Sequence, residues 1–187
     1  MPWKPLAALA LVVLAGCGGG GEPPLVEDMR EGGLVLVMRH AKTESTTPPS
    51  ESLRSCDLQR NLSAEGREQA GAIGEAMREL EIPIGEVRSS PMCRTRDTAR
   101  LAFGDVEIDE DLLSLGVGGT IEDDERRTAA LREMAREAPP EGTNTVLLTH
   151  TGNIGGAFDE SVDEGEILAY DRGRLLGTIT SEELAPG

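Results

Sequence analysis

From residue 34 onward, short apolar runs alternate with segments of helical period. The first run, "LVLVM" at 34–38, is unbroken, which predicts a strand covered on both faces. "LSAEGREQAGAIGEAMREL" then places Ala70, Ile73, Met77 and Leu80 at steps of three and four residues. That spacing predicts a helix capped by Ser63 and ended with the help of Pro83. "GEVRSS" predicts a short strand, and "SPMCRTRDTARLAFG" a helix with Ser90 as N-cap, Pro91 in its first position and Gly104 at its exit. A charged helix over about 122–137 turns Leu131, Met134 and Ala135 inward. "PPEGTN" reads as a turn and "TVLLT" as another buried strand. "GEILAYDRGRLLGTIT" reads as two antiparallel strands joined at 171–173. The alternation predicts an α/β domain with a largely parallel sheet.

The 187 residues suit one domain. Aromatic residues make up only 2% of the chain, so the core is aliphatic and offers little for stacking on bases or sugars. A formal charge of −16 repels nucleic acid and anionic membrane surfaces at long range, though a local group of arginines still dominates the field inside a cleft. Residues 1–16 carry one positive charge at Lys4 and a ten-residue apolar run, the layout of a secretory signal peptide. The run is too short to cross a membrane as a helix. Its ending, "LAGC", resembles a bacterial lipobox, in which Cys17 receives a lipid; the alternative is an ordinary signal peptide with an incidental Cys. Gly and Pro content predicts a flexible tether at 17–33, leaving residues 34–187 as the domain. The expected location is the bacterial cell envelope, with membrane contact only through the lipid on Cys17.

Export also bears on Cys56 and Cys93, which either pair as a disulfide or stand as separate buried thiols. Two Cys and two His without close pair spacings argue against a structural metal site.

The two histidines, His40 and His150, each follow a predicted core strand. In an open α/β sheet, the loops leaving the carboxyl ends of strands form the ligand crevice, so both histidines are expected at one sheet edge. Arg39 precedes His40, and Arg94 falls in the first turn of a helix, where unpaired amides favour an anion. Two guanidinium forks and two imidazoles suit a tetrahedral dianion such as phosphate.

"VMRHAKTE", "QRNLSAEGREQA", "SSPMCRTRDTA" and "VLLTHTGNI" together resemble, in order, the motifs of the histidine phosphatase superfamily, branch 1, the phosphoglycerate mutase-like proteins. The resemblance runs from about Leu34 to Thr180. It implies a three-layer αβα sandwich whose mostly parallel sheet has an antiparallel C-terminal edge. It further implies that His40 is the nucleophile, that Arg39, Arg94 and His150 hold the phosphoryl oxygens, and that neither metal nor other cofactor is needed. The proton donor in many relatives is an acid between the second motif arginine and the second histidine. Glu110 is the first choice here, Asp111 the second, and Glu164 and Glu166 stand outside that interval; plain solvated acids are the alternative reading. Arg60 and Asn61 either reach the pocket mouth and bind substrate or cap neighbouring structure.

Some departures narrow the activity. Thr151 stands where the acid phosphatase branch has an Asp, and Ala41 and Lys42 stand where mutases have Gly and Glu. The expected activity is hydrolysis of small phosphomonoesters or phosphoramidates, and the alternative is a noncatalytic lipoprotein that binds phosphoryl ligands.

Overall fold

The run at 34–38 becomes β1 (Val35–Arg39), whose first four residues are buried because helices cover both sheet faces. A computed structural model describes residues 23–48 and 51–185. The further strands are β2 (Ile84–Ser89), β3 (Glu107–Ile108), β4 (Asn144–Thr149), β5 (Ile167–Asp171) and β6 (Arg174–Ile179), in the order β3-β2-β4-β1-β5-β6. β1 to β4 run parallel, β5 is antiparallel to β1, and β6 is antiparallel to β5. The mostly parallel sheet with its antiparallel C-terminal edge is therefore present as expected.

Successive side chains of β1 serve different cores. Leu36 and Met38 pack with Ile73 and Met77 of α2 (Ala64–Glu79) and Ala99 of α3 (Cys93–Phe103). Val35 and Val37 pack with Leu131 and Met134 of α4 (Ile121–Met134) and Ile154 of α5 (Thr151–Phe158). A short α6 (Ser181–Leu184) closes the first face through the buried Leu184. Each large aliphatic side chain buried this way contributes about 1.5–3 kcal/mol of transfer free energy.

Side-chain caps fix the starts of α2 and α4. The Ser63 hydroxyl accepts from Gly66 N at 3.0 Å as the expected cap of α2. Thr120 and Asp123 form a reciprocal capping box at α4. By contrast, α3 starts at Cys93, later than Ser90 and Pro91 predict, because Met92 is extended (φ −65°, ψ 141°) and acts as the N-cap. The glycine-containing segment after His150, for which the sequence predicts no element, forms α5 around the buried Asn153, Ile154 and Ala157.

The tether expected over 17–33 needs correction over 24–31, while its residues 17–22 lie outside the described residues. Pro24–Glu31 is a helix, α1, whose Val26 and Met29 are fully buried against the sheet. Buried Asn144 fixes its end: Nδ2 donates to Met29 O at 2.7 Å and to Pro83 O at 3.0 Å, while Oδ1 accepts from Leu34 N at 3.0 Å. Gly32 is needed next to it, since its φ is 78° and a Cβ there would approach the Gly142 carbonyl carbon to 2.9 Å. Burial of two apolar side chains outweighs the local Gly and Pro preference. The expected signal peptide at 1–16 and the lipid site at Cys17 lie outside the described residues.

Cys56 and Cys93 are bridged across a sequence separation of 37. The bridge joins the 3₁₀ turn Cys56–Leu58 to the first residue of α3. Closing a loop of this length stabilises the fold by about 3–4 kcal/mol in the chain-entropy account. Reduction, confirmed by thiol titration, is expected to lower the melting temperature by about 10 °C for a domain of this size, as a thermal melt will show.

Candidate active site

Parallel pairing of β1 with β4 sets Arg39 opposite Thr149, so the next residues, His40 and His150, leave the sheet side by side. Their ring centroids lie 5.5 Å apart, and His40 N donates to Thr149 O at 3.2 Å. Arg94 enters from the first turn of α3. His40, Arg94 and His150 are at most 4% exposed, and the charges of Arg94 and Arg39 both act on His40, so the four motif residues come together at the carboxyl edge of the sheet.

Hydrogen bonds constrain the ring nitrogens. His40 Nδ1 lies 2.9 Å from Ala41 O, which only accepts; Nδ1 therefore carries the proton and Nε2 the lone pair. His150 Nε2 lies 2.9 Å from the Ser90 hydroxyl, whose oxygen already accepts from Met92 N. The Ser90 oxygen keeps a second lone pair, so it either donates to Nε2 or accepts from it, and His150 Nδ1 carries the proton in the first case. That Nδ1 is buried without a hydrogen-bond partner, as are the Nε atoms of Arg39 and Arg94.

Burial, followed by the fields of Arg94, Arg39 and Arg60, lowers the His40 pKa to about 3 against the Ala41 hydrogen bond. Burial, with the same arginines and His40, also holds His150 well below its ordinary value. Both rings are thus neutral near pH 7. The unfolded chain binds protons at these positions near pH 6.5, where the folded chain does not. The resulting stability is fully present above pH 6.5 and is lost as pH falls, down to about 3 for His40. A denaturation series is expected to show about 1.4 kcal/mol lost per pH unit for each histidine below that point.

Arg60 acts on both histidines and Arg94 through its charge. Asn61 instead caps locally, its Nδ2 donating to Cys56 O at 2.8 Å. Arg39 NH1 donates to Val162 O at 2.8 Å, and its NH2 lies 3.5 Å from Glu164 Oε1. A cavity of about 650 Å³ opens beside Arg39 and Glu164, with Lys42, Thr43 and Gln69 also in its wall.

The acids separate clearly. Glu110 lies on the 3₁₀ turn after β3, exposed, and its side chain bonds to none of the four motif residues. Asp111 pairs with Arg126, and the Glu166 carboxylate accepts from Asp163 N at 2.7 Å. Glu164 reaches the site, 3.9 Å from His40 Nδ1.

Sequence reasoning missed Glu51. Its carboxylate grips the end of the Arg94 fork, accepting from NH1 at 2.6 Å and NH2 at 3.4 Å, and Arg60 N donates to it at 2.9 Å. Burial lowers the Arg94 pKa, and Glu51 counters that shift. No periodicity marks Glu51, which sits in an irregular polar loop 43 residues before its partner. Charge complementarity with a buried arginine is the only signal, and it needs the fold. Removing that charge leaves Arg94 uncompensated, which costs about 2 kcal/mol for a pair that retains some solvent contact. Glu51→Gln is expected to lower stability by that amount and to tighten inorganic phosphate binding about tenfold, because the anion restores the missing compensation. Calorimetric titration and denaturant melts will measure both.

Residues 35–142, more than half of the chain, match the family model of the histidine phosphatase superfamily (branch 1). No curated protein matches the chain in sequence. Solved structures share the fold. The protein histidine phosphatase SixA complexed with tungstate is 16% identical, with a TM-score of 0.56 over 81% of this chain and 99% of that one. Phosphoserine phosphatase from Entamoeba histolytica, in complex with 3-phosphoglyceric acid, is 13% identical, with a TM-score of 0.57 over 81% and 98%. The Rv3214 protein of Mycobacterium tuberculosis is 20% identical, with a TM-score of 0.55 over 80% and 98%. The family match begins at β1 and takes in Arg39, His40, Arg60 and Arg94, while His150 is added by the fold. On the matched length, the chain belongs to the histidine phosphatase superfamily, branch 1.

Proposed function

We propose that the protein hydrolyses small phosphomonoesters or phosphoramidates through a phosphohistidine at His40, without a metal. One observation carries this reading: the Nε–H donors of Arg39 and Arg94 are buried without partners, as is His150 Nδ1, and the charges of both arginines act on a neutral His40. Buried donors of this kind are costly unless something accepts from them, and a phosphoryl group supplies three acceptor oxygens. Two guanidinium groups neutralise the charge that a metal handles elsewhere, and phosphoryl transfer is catalysed mainly by such clamping.

In this reading His40 Nε2 attacks phosphorus and the leaving group departs, and water then attacks the phosphoenzyme. Arg39, Arg94, Arg60 and His150 hold the phosphoryl oxygens throughout. Glu110, exposed at the same sheet edge, has no contact that marks it as the proton donor, and phosphoramidates or aryl esters depend least on one. The lipid at Cys17 and placement in the cell envelope belong to the proposal on the strength of "LAGC" alone.

The test uses the full chain in EDTA with a ³²P-labelled phosphoester and phosphoramidate panel. The expected result is turnover together with an acid-labile label that peptide mapping assigns to His40. Phosphate binding without label or turnover across the panel would favour the noncatalytic binding lipoprotein instead.

A further inference from the structure

The end of β1 is bound by a distant turn. Gly165 N donates to the carbonyls of Arg39 at 3.3 Å and His40 at 3.0 Å, and Arg39 N donates to Glu166 O at 3.2 Å. Gln69 Nε2 donates to Glu164 O at 2.9 Å from the other side. The Gly165 φ of 88° favours glycine at this turn, and a Cβ there would also displace the Gln69 amide. These bonds deliver the Glu164 carboxylate to the Nδ1 side of His40.

There the carboxylate is held from three directions. Thr43 Oγ1 donates to Oε1 at 2.7 Å and Thr43 N to Oε2 at 3.4 Å, while Arg39 NH2 lies 3.5 Å from Oε1. Oε1 is 3.9 Å from His40 Nδ1, and among the described residues no other carboxylate comes within 4.0 Å of a His40 nitrogen.

The transfer step gives this placement a purpose. When the Nε2 lone pair forms the N–P bond, the P–O bond breaks, and its electron pair leaves with the oxygen, which takes a proton from solvent. Nδ1 keeps its proton, so the ring becomes an N-phosphoimidazolium cation until water attacks phosphorus and the N–P electrons return to Nε2. A cation is opposed here by burial and three arginines, the same influences that keep free His40 neutral.

Resting on the reading of His40 as nucleophile, we infer that Glu164 is the positioning residue of the transfer step, stabilising the cationic phosphohistidine and holding the Arg39 fork beside it. It acts from the far side of the ring and need not touch the substrate.

Rapid-quench labelling of the full chain with an aryl phosphate, whose leaving group needs little protonation, tests this. Glu164→Gln is expected to slow phosphoenzyme formation at least tenfold, with the inhibition constant for inorganic phosphate not weakened beyond threefold. Glu164→Asp is expected to recover part of the rate. A phosphorylation rate within twofold of wild type overturns the inference, as does a loss that spares the aryl substrate and appears only with alkyl esters, which would make Glu164 a proton donor. Weakened phosphate binding that matches the rate loss, with no recovery by Glu164→Asp, also overturns it in favour of a purely structural role. Absence of label in the wild-type chain overturns the phosphohistidine reading itself, and this inference with it.

Discussion

His40→Ala is expected to reduce turnover of an aryl phosphate by on the order of 10⁴-fold or more and to abolish the acid-labile label, because removal of a covalent nucleophile leaves only clamping and binding. Phosphate affinity should change far less, since Arg39, Arg94, Arg60 and His150 stay in place. The substitution removes one buried ring, 2% exposed, with its single bond to the Ala41 carbonyl. It also removes a group whose protonation favours the unfolded chain below pH 6.5, so part of the packing loss should be recovered at pH 5. Steady-state kinetics beside phosphate titration separates chemistry from binding. Turnover within tenfold of wild type would exclude His40 as nucleophile.

Arg94→Ala is expected to lower turnover by about 10³-fold and to destabilise the fold by about 2–3 kcal/mol, two effects with different origins. In the proposed mechanism the kinetic loss follows from removing a charged fork that would donate to the transferring group. The stability loss follows from leaving Glu51, held by Arg60 N, without its guanidinium partner. Arg94→Lys retains a charge but not a fork, and about 10²-fold loss is expected. Combining Arg94→Ala with Glu51→Gln should return most of the stability and none of the turnover, a coupling that a double-mutant cycle in denaturant will measure. Additive stability losses would show that the 2.6 Å pair contributes little to the resting fold.

Signals within one strand or helix were legible before folding. Unbroken aliphatic runs identify β1 and β4, each is followed directly by a histidine or by an arginine-histidine step, and parallel pairing does the rest. Arg94 was legible from its place in a helix's first turn, even though α3 begins later than Pro91 suggests. The contacts that complete the site are long-range: Glu51 meets Arg94 across 43 residues, and Thr43 meets Glu164 across 121. Nothing local distinguishes those two carboxylates among 34 acids. Position in the chain points to Glu110, whereas the bonding of Gly165 to the end of β1 selects Glu164. α1 was hidden for a related reason, since Gly and Pro flank it and its buried faces meet strands far along the chain.

The division of β1 between two cores gives that strand a parity. Val35 and Val37 belong to one side and Leu36 and Met38 to the other. Deleting one residue between Leu34 and Met38 would put the two sides of the deletion out of phase, so that either the core residues before it or His40 after it would turn to the opposite face. Deleting two would preserve the faces but draw His40 about 7 Å back from His150. In the course of divergence this segment can trade one aliphatic residue for another, but its length is bound to the chemistry at its end.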